Sequence, residues 1–152
     1  MERTSTILLA TDLSASAGPA TEEAFRLARR LSASLLIVSV IDPGTMRLPN
    51  GRYRRRIDQE RDLRESAARP LVDRGRMIGV SVGLLVWDGD PGESIVEVAR
   101  AESPDMVIVG SRERGGMGRF GIGSVSDHVV RHAQCPVLVV RSDTPAVGDA
   151  IA

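Results

Sequence analysis

Lysine is absent from this chain: all 20 basic side chains among its 152 residues are arginines. A Walker-type P-loop needs a lysine on the phosphates and a Schiff-base enzyme needs a lysine amine, so both chemistries are excluded. An excess of either charge is also missing, because 20 acidic residues bring the formal net charge to zero. That balance argues against a protein that coats nucleic acid electrostatically. Aromatic residues make up only 3% of a chain that is 42% hydrophobic, so the core is expected to be built from Val, Ile, Leu and Ala. The single cysteine, Cys135, excludes an intrachain disulfide and suits a reducing compartment. Apolar runs such as Leu35 to Val38 fall far short of the roughly 20 residues of a membrane-spanning helix. Met1 to Thr6 is polar and carries no signal-peptide pattern, so the expected location is cytoplasmic. The length suits one domain, with a core from about residue 6 to 141 and a tail over 142–152.

Five β-rich runs are separated by helical patterns: Thr6 to Ala10, Ser34 to Ile41, Val80 to Trp87, Asp105 to Val109 and Pro136 to Arg141. Most are nearly continuous apolar runs, the mark of strands covered on both faces. Gly83 inside the third hints at an edge strand or a bulge. The first helical segment, Pro19 to Leu31, puts Ala20, Ala24, Leu27, Ala28 and Leu31 on one face. The second, Ile57 to Met77, is highly charged, with Arg54/Asp58, Arg56/Glu60 and Arg61/Glu65 at i,i+4 spacing, and Pro70 is expected to kink or split it. Pro91 opens a third helix carrying Ile95, Val98 and Ala99. Ser124 opens a fourth, as cap, with Val125 and Val129 inward. The order βαβαβαβαβ predicts a single α/β domain: an open parallel sheet with helices on both faces and its loops of interest at the strands' C-terminal ends. Asp42 to Tyr53 reads as a surface loop.

The chain's glycines concentrate in one place. Six of its fifteen fall between Gly110 and Gly123, after the fourth strand and before the fourth helix. Backbone amides free of side-chain bulk, together with a helix N-terminus, make a cradle for phosphate, with Arg112, Arg114 and Arg119 as added donors. Gly116, Gly118 and Gly121 spell GxGxxG, but a dinucleotide fingerprint belongs directly after the first strand, so it is rejected here. Asp12 leaves the end of the first strand, where a carboxylate can serve either a ribose or a turn.

Other clusters point less far. His128, His132 and Cys135 share helical spacing, but without a further ligand they read as the end of a helix rather than a metal triad. Arg52 to Arg56 runs at once into Asp58, Glu60, Asp62 and Glu65, so it reads as a solvated, internally paired face rather than a nucleic-acid patch. No Ser-His-Asp or Cys-His arrangement and no acid/base carboxylate pair is evident. The pattern is one of binding rather than turnover.

Ile7 to Asp12 (ILLATD), Val40-Ile41-Asp42, Gly89-Asp90-Pro91, Val107 to Ser111 (VIVGS) and above all Gly123 to Val140 (GSVSDHVVRHAQCPVLVV) resemble the universal stress protein family. The resemblance covers about Thr6 to Arg141. It implies a five-stranded sheet of order 3-2-1-4-5 and a homodimer through the last strand, residues 136–140. One branch of the family binds ATP through the pattern G-x2-G-x9-G-(S/T). On this chain the pattern falls on Gly110, position 113, Gly123 and Ser124, and position 113 is Glu113 rather than glycine. The resemblance puts Asp12 and Val40 about the adenine and ribose, with Ala10 and Val109 nearby. It gives Gly110, Gly123, Ser124, Val125 and Ser126 to the ribose and phosphates. A carboxylate at position 113 repels phosphate unless Mg²⁺ or the flanking Arg112 and Arg114 screen it. The implied function is an ATP-binding regulator of the stress response; the alternative is a dimeric adaptor that binds no nucleotide and acts through protein partners.

Overall fold

The structure is a computed structural model, described here for residues 3–46, 53–111 and 123–141. Its elements are β1 (Thr6–Ala10), α1 (Gly18–Arg30), β2 (Ser34–Ile41), α2 (Tyr53–Ile78), β3 (Val82–Asp88), α3 (Pro91–Glu102), β4 (Met106–Ser111), α4 (Ser124–His132) and β5 (Val137–Arg141). The strands form one parallel five-stranded sheet in the order β3-β2-β1-β4-β5. The third apolar run therefore does lie at an edge, as Gly83 suggested.

Strand alternation divides the core into two halves. Ile7, Leu9, Leu35, Ile37 and Ile108 pack against α1 and α2 through Ala20, Ala24, Phe25, Ala28, Leu71 and Ile78. Leu8, Ala10, Val38, Val107 and Val109 face the other way, against Ile95, Val98 and Ala99 of α3 and Val129 of α4. The β1–α1–β2 and β2–α2–β3 steps move to a neighbouring strand, whereas α3 carries the chain from the β3 edge back past β2 and β1 to β4; with right-handed crossovers this reversal puts α3 and α4 on the opposite face.

Four local expectations are corrected. Leu31 does not join the buried face of α1: it is 56% exposed, because the helix ends at Arg30 and the chain turns there. Phe25 takes the buried place instead, at 1% exposure. Pro70 does not split α2, which is continuous over 26 residues. Proline denies a hydrogen bond to the carbonyl four residues earlier, but Ser66 and Pro70 both lie on the exposed side, where water can serve that carbonyl. Arg61 does not turn along its helix to Glu65. It donates to the Val86 carbonyl at 2.7 Å and to the Asp88 carboxylate at 3.2 Å, tying α2 to the end of β3. The fourth correction concerns Val125, which is exposed rather than inward; Ser126 and Val129 are the buried residues of α4.

The junction from α2 into β3 is tightly specified. Gly79, at φ +78°, supplies the left-handed residue that ends the helix, and the Val80 amide reaches back to the Gly75 carbonyl at 2.8 Å. None of the described helices is long and apolar enough to cross a membrane.

Candidate functional site

In an open parallel sheet the crevice forms where the strand order reverses, outside the carboxyl ends of the two central strands. Here those strands are β1 and β4, with β2 beside β1. Ala10 pairs in register with Val109 on one side and Val38 on the other. Ala10, Val40 and Val109 all belong to the α3/α4 face, so the aliphatic residues expected at a binding site do converge on one face and one rim.

The end of β1 is shaped by its own polar side chains. The Thr11 amide continues the ladder to the Val38 carbonyl at 3.0 Å. Asp12 then closes a turn, its Oδ1 accepting from the Ser14 amide at 3.0 Å and the Ser14 hydroxyl at 2.6 Å. Between them Leu13 is held at φ +64°, a left-handed conformation that costs a non-glycine residue about 1 kcal/mol or more. Local strain of this kind concentrates at sites where the backbone must take one particular course. Both meanings of a carboxylate at this position therefore stay in play: Asp12 builds the turn, and the turn lies at the rim.

The other wall comes from β4 and α4. The buried Ser126 hydroxyl donates to the Gly110 carbonyl at 2.7 Å, pinning the first turn of α4 to the end of β4. This contact spans sixteen residues of sequence, and no spacing rule could have revealed it. It gives Ser126 a definite task, holding the helix in place. Ser124 was expected to cap α4, but the cap is Gly123 and Ser124 is the first helical residue. Gly123 offers no side-chain oxygen to the first amides, so the α4 N-terminus presents backbone donors and the positive end of the helix dipole at the rim. Ser124 and Val125 are both exposed there. Arg112, Glu113, Arg114 and Arg119 lie outside the described residues.

The remaining polar clusters are structural. Asp90 caps α3 by accepting from the Glu93 amide at 3.0 Å. The rings of His128 and His132 stack with centroids 4.2 Å apart, and His132 Nδ1 lies 2.9 Å from the His128 carbonyl oxygen. Among the described residues no group of three or more His, Cys, Asp and Glu is arranged to hold a metal ion. Burial pushes the Cys135 thiol up, away from the lowered range that marks a reactive cysteine. Two clefts of about 200 and 210 Å³ lie at the opposite end of the sheet. One runs beside Ser103, His132 and Cys135, the other beside Ser34, Gly79 and Ser81, and neither contains a residue of the rim.

Comparison with known proteins agrees with the architecture. The model of the universal stress protein family matches residues 4–141. A universal stress protein of Thermus aquaticus is 34% identical over 141 residues, covering 90% of this chain and 98% of its own length. A crystal structure from that family from Burkholderia pseudomallei superposes with a TM-score of 0.71 at 26% identity, over 90% of this chain and 95% of its own. A more distant family structure from Arabidopsis thaliana, described with AMP bound, shares the fold with a TM-score of 0.64 at 21% identity, over 95% of this chain and 98% of its own. With the family model spanning nearly the whole sheet and its helices, the chain belongs to the universal stress protein family.

Proposed function

We propose that this chain binds an adenine nucleotide, ATP foremost, at the rim between β1 and β4, and acts as a nucleotide-dependent regulator of the stress response rather than as a catalyst. The observation that carries the reading is the meeting of three features at one rim: the aliphatic row Ala10, Val40 and Val109, the Asp12 turn, and the amide-bearing start of α4 at Gly123 and Ser124. An apolar row suits the flat faces of a base, and a helix N-terminus suits phosphate. With no lysine in the chain, backbone amides, Ser124 and arginines such as Arg112 are the groups left to meet the phosphate charge. The AMP-bound relative of the same fold supports the choice of nucleotide. Mg²⁺ bound with the phosphates would screen them from Glu113.

Isothermal titration with ATP and Mg²⁺ tests the reading: heat of binding is expected, and its absence at millimolar nucleotide sinks it. Glu113→Gly removes both the bulk and the charge, so this variant should bind several-fold more tightly. An unchanged affinity would show that Glu113 lies away from the phosphates.

Glu113 also favours the second reading, a family member that binds no nucleotide and acts as an adaptor. Nucleotide released from the purified protein, seen as absorbance near 260 nm, separates the two.

A homodimer through β5 completes the proposal. Val137 to Val140 are only half-buried on an edge strand, and such an edge is prone to associate unless covered. Size exclusion with light scattering should give about twice the 16.3 kDa chain mass. A monomer at micromolar concentration would refute pairing through this edge.

A further inference from the structure

We propose that Trp87 forms the outer wall of the base subsite, the surface against which the purine of a bound nucleotide packs; the inference rests on the nucleotide reading above. Trp87 is the chain's only tryptophan and is 46% exposed near the carboxyl end of β3. The parallel register pairs it with Val40, one strand spacing away, about 4.8 Å between strands. Side chains alternate along a strand, and Leu85, two residues earlier, packs with Val38 and Val40 on the α3/α4 face. Trp87 therefore lies on the same face as Ala10, Val40 and Val109, level with Val40 and one pleat beyond the row of Ala10 and Val109, and it alone carries a ring.

The strand end that carries the indole is firmly held. Arg61 binds the Val86 carbonyl before it and the Asp88 carboxylate after it. The Gly89 amide donates to the Ile41 carbonyl at 3.0 Å, and Asp90 then caps α3. A strand end held in this way presents the half-exposed indole from a fixed backbone, so little backbone ordering remains to be done when a flat ring arrives.

The test titrates the protein with ATP and, separately, with inorganic triphosphate, following calorimetric heat and tryptophan emission in parallel. ATP should change the emission of Trp87, and triphosphate, which has no base, should not. Trp87→Ala and Trp87→Leu should each weaken ATP about tenfold, the loss typical of a base–aromatic contact, and leave triphosphate affinity unchanged. Trp87→Phe, which keeps a ring, should retain most of the affinity. If ATP binds with full heat while Trp87→Leu binds it as tightly as the parent, the inference is overturned and the nucleotide reading stands. If ATP gives no heat with the parent protein, the nucleotide reading fails and the role of Trp87 fails with it.

Discussion

Phe25→Ala is expected to cost about 3–5 kcal/mol of folding stability, the range for deleting a buried aromatic ring. Phe25 heads the fully buried side chains by size, at 1% exposure. It packs among Ala20, Ala24, Ala28 and the β1–β2 face of the sheet, where small neighbours cannot collapse into the space it would leave. Arg74 of α2 closes the outer side, its guanidinium 4.4 Å from the ring centroid and anchored by paired bonds of 2.6 and 2.7 Å to Glu22. The ion pair itself is solvent-exposed and contributes little. It holds the Glu22 carboxyl below its ordinary range chiefly through the hydrogen bond from Arg74. A carboxyl depressed in the folded state adds stability above its unfolded pKa and loses it as pH falls through the folded value, so this small increment should fade in acid. For a domain whose total stability is about 5–15 kcal/mol, losing the ring is severe. Urea unfolding should show it as a shifted midpoint, and Phe25→Leu, which keeps most of the volume, should cost under about 1.5 kcal/mol. A loss below about 1 kcal/mol for the alanine variant would mean that the ring does not support the α1 face.

The second large effect runs against the usual rule. Replacing a glycine inside a helix by alanine ordinarily stabilises by about 1 kcal/mol. At Gly75 the opposite is expected. A Cβ built there would enter the Val82 side chain and come within 2.5 Å of the Val80 carbonyl oxygen, and the second of these is backbone that cannot swing aside. Gly75 is also the residue whose carbonyl receives the Val80 amide in the turn from α2 to β3. The helix end and the edge strand would have to separate, so Gly75→Ala should lose about 2–3 kcal/mol, as overpacked interiors do. Equilibrium unfolding decides it, and a neutral or stabilising result would refute the close approach of α2 to β3.

The strands were readable because both faces of the sheet are covered, which turns Ile7 to Ala10 or Met106 to Val109 into unbroken apolar runs. Phe25 was missed because the alanines at 20, 24 and 28 mark the centre of the α1 stripe and the ring stands at its flank. The cost of Pro70 depends on whether the carbonyl it orphans meets water, and periodicity does not report that. Serine favours the cap position, which points to Ser124, yet the cap lies one residue earlier, at Gly123, and Ser124 is the first helical residue.

The lack of lysine, the balanced charge, the five apolar runs and the glycines from 110 to 123 are properties of composition and local pattern, and by themselves they determined an α/β sheet and pointed to a candidate site at the strands' carboxyl ends. The observed strand order is the one that the family resemblance implied, whereas the Ser126–Gly110 bond and the alignment of Trp87 with Val40 were decided by the tertiary structure alone. The physical reason is range. Propensity and periodicity act over a few residues, whereas register and packing join residues far apart in the chain. A position such as Trp87 acquires its meaning only from the strand laid beside it.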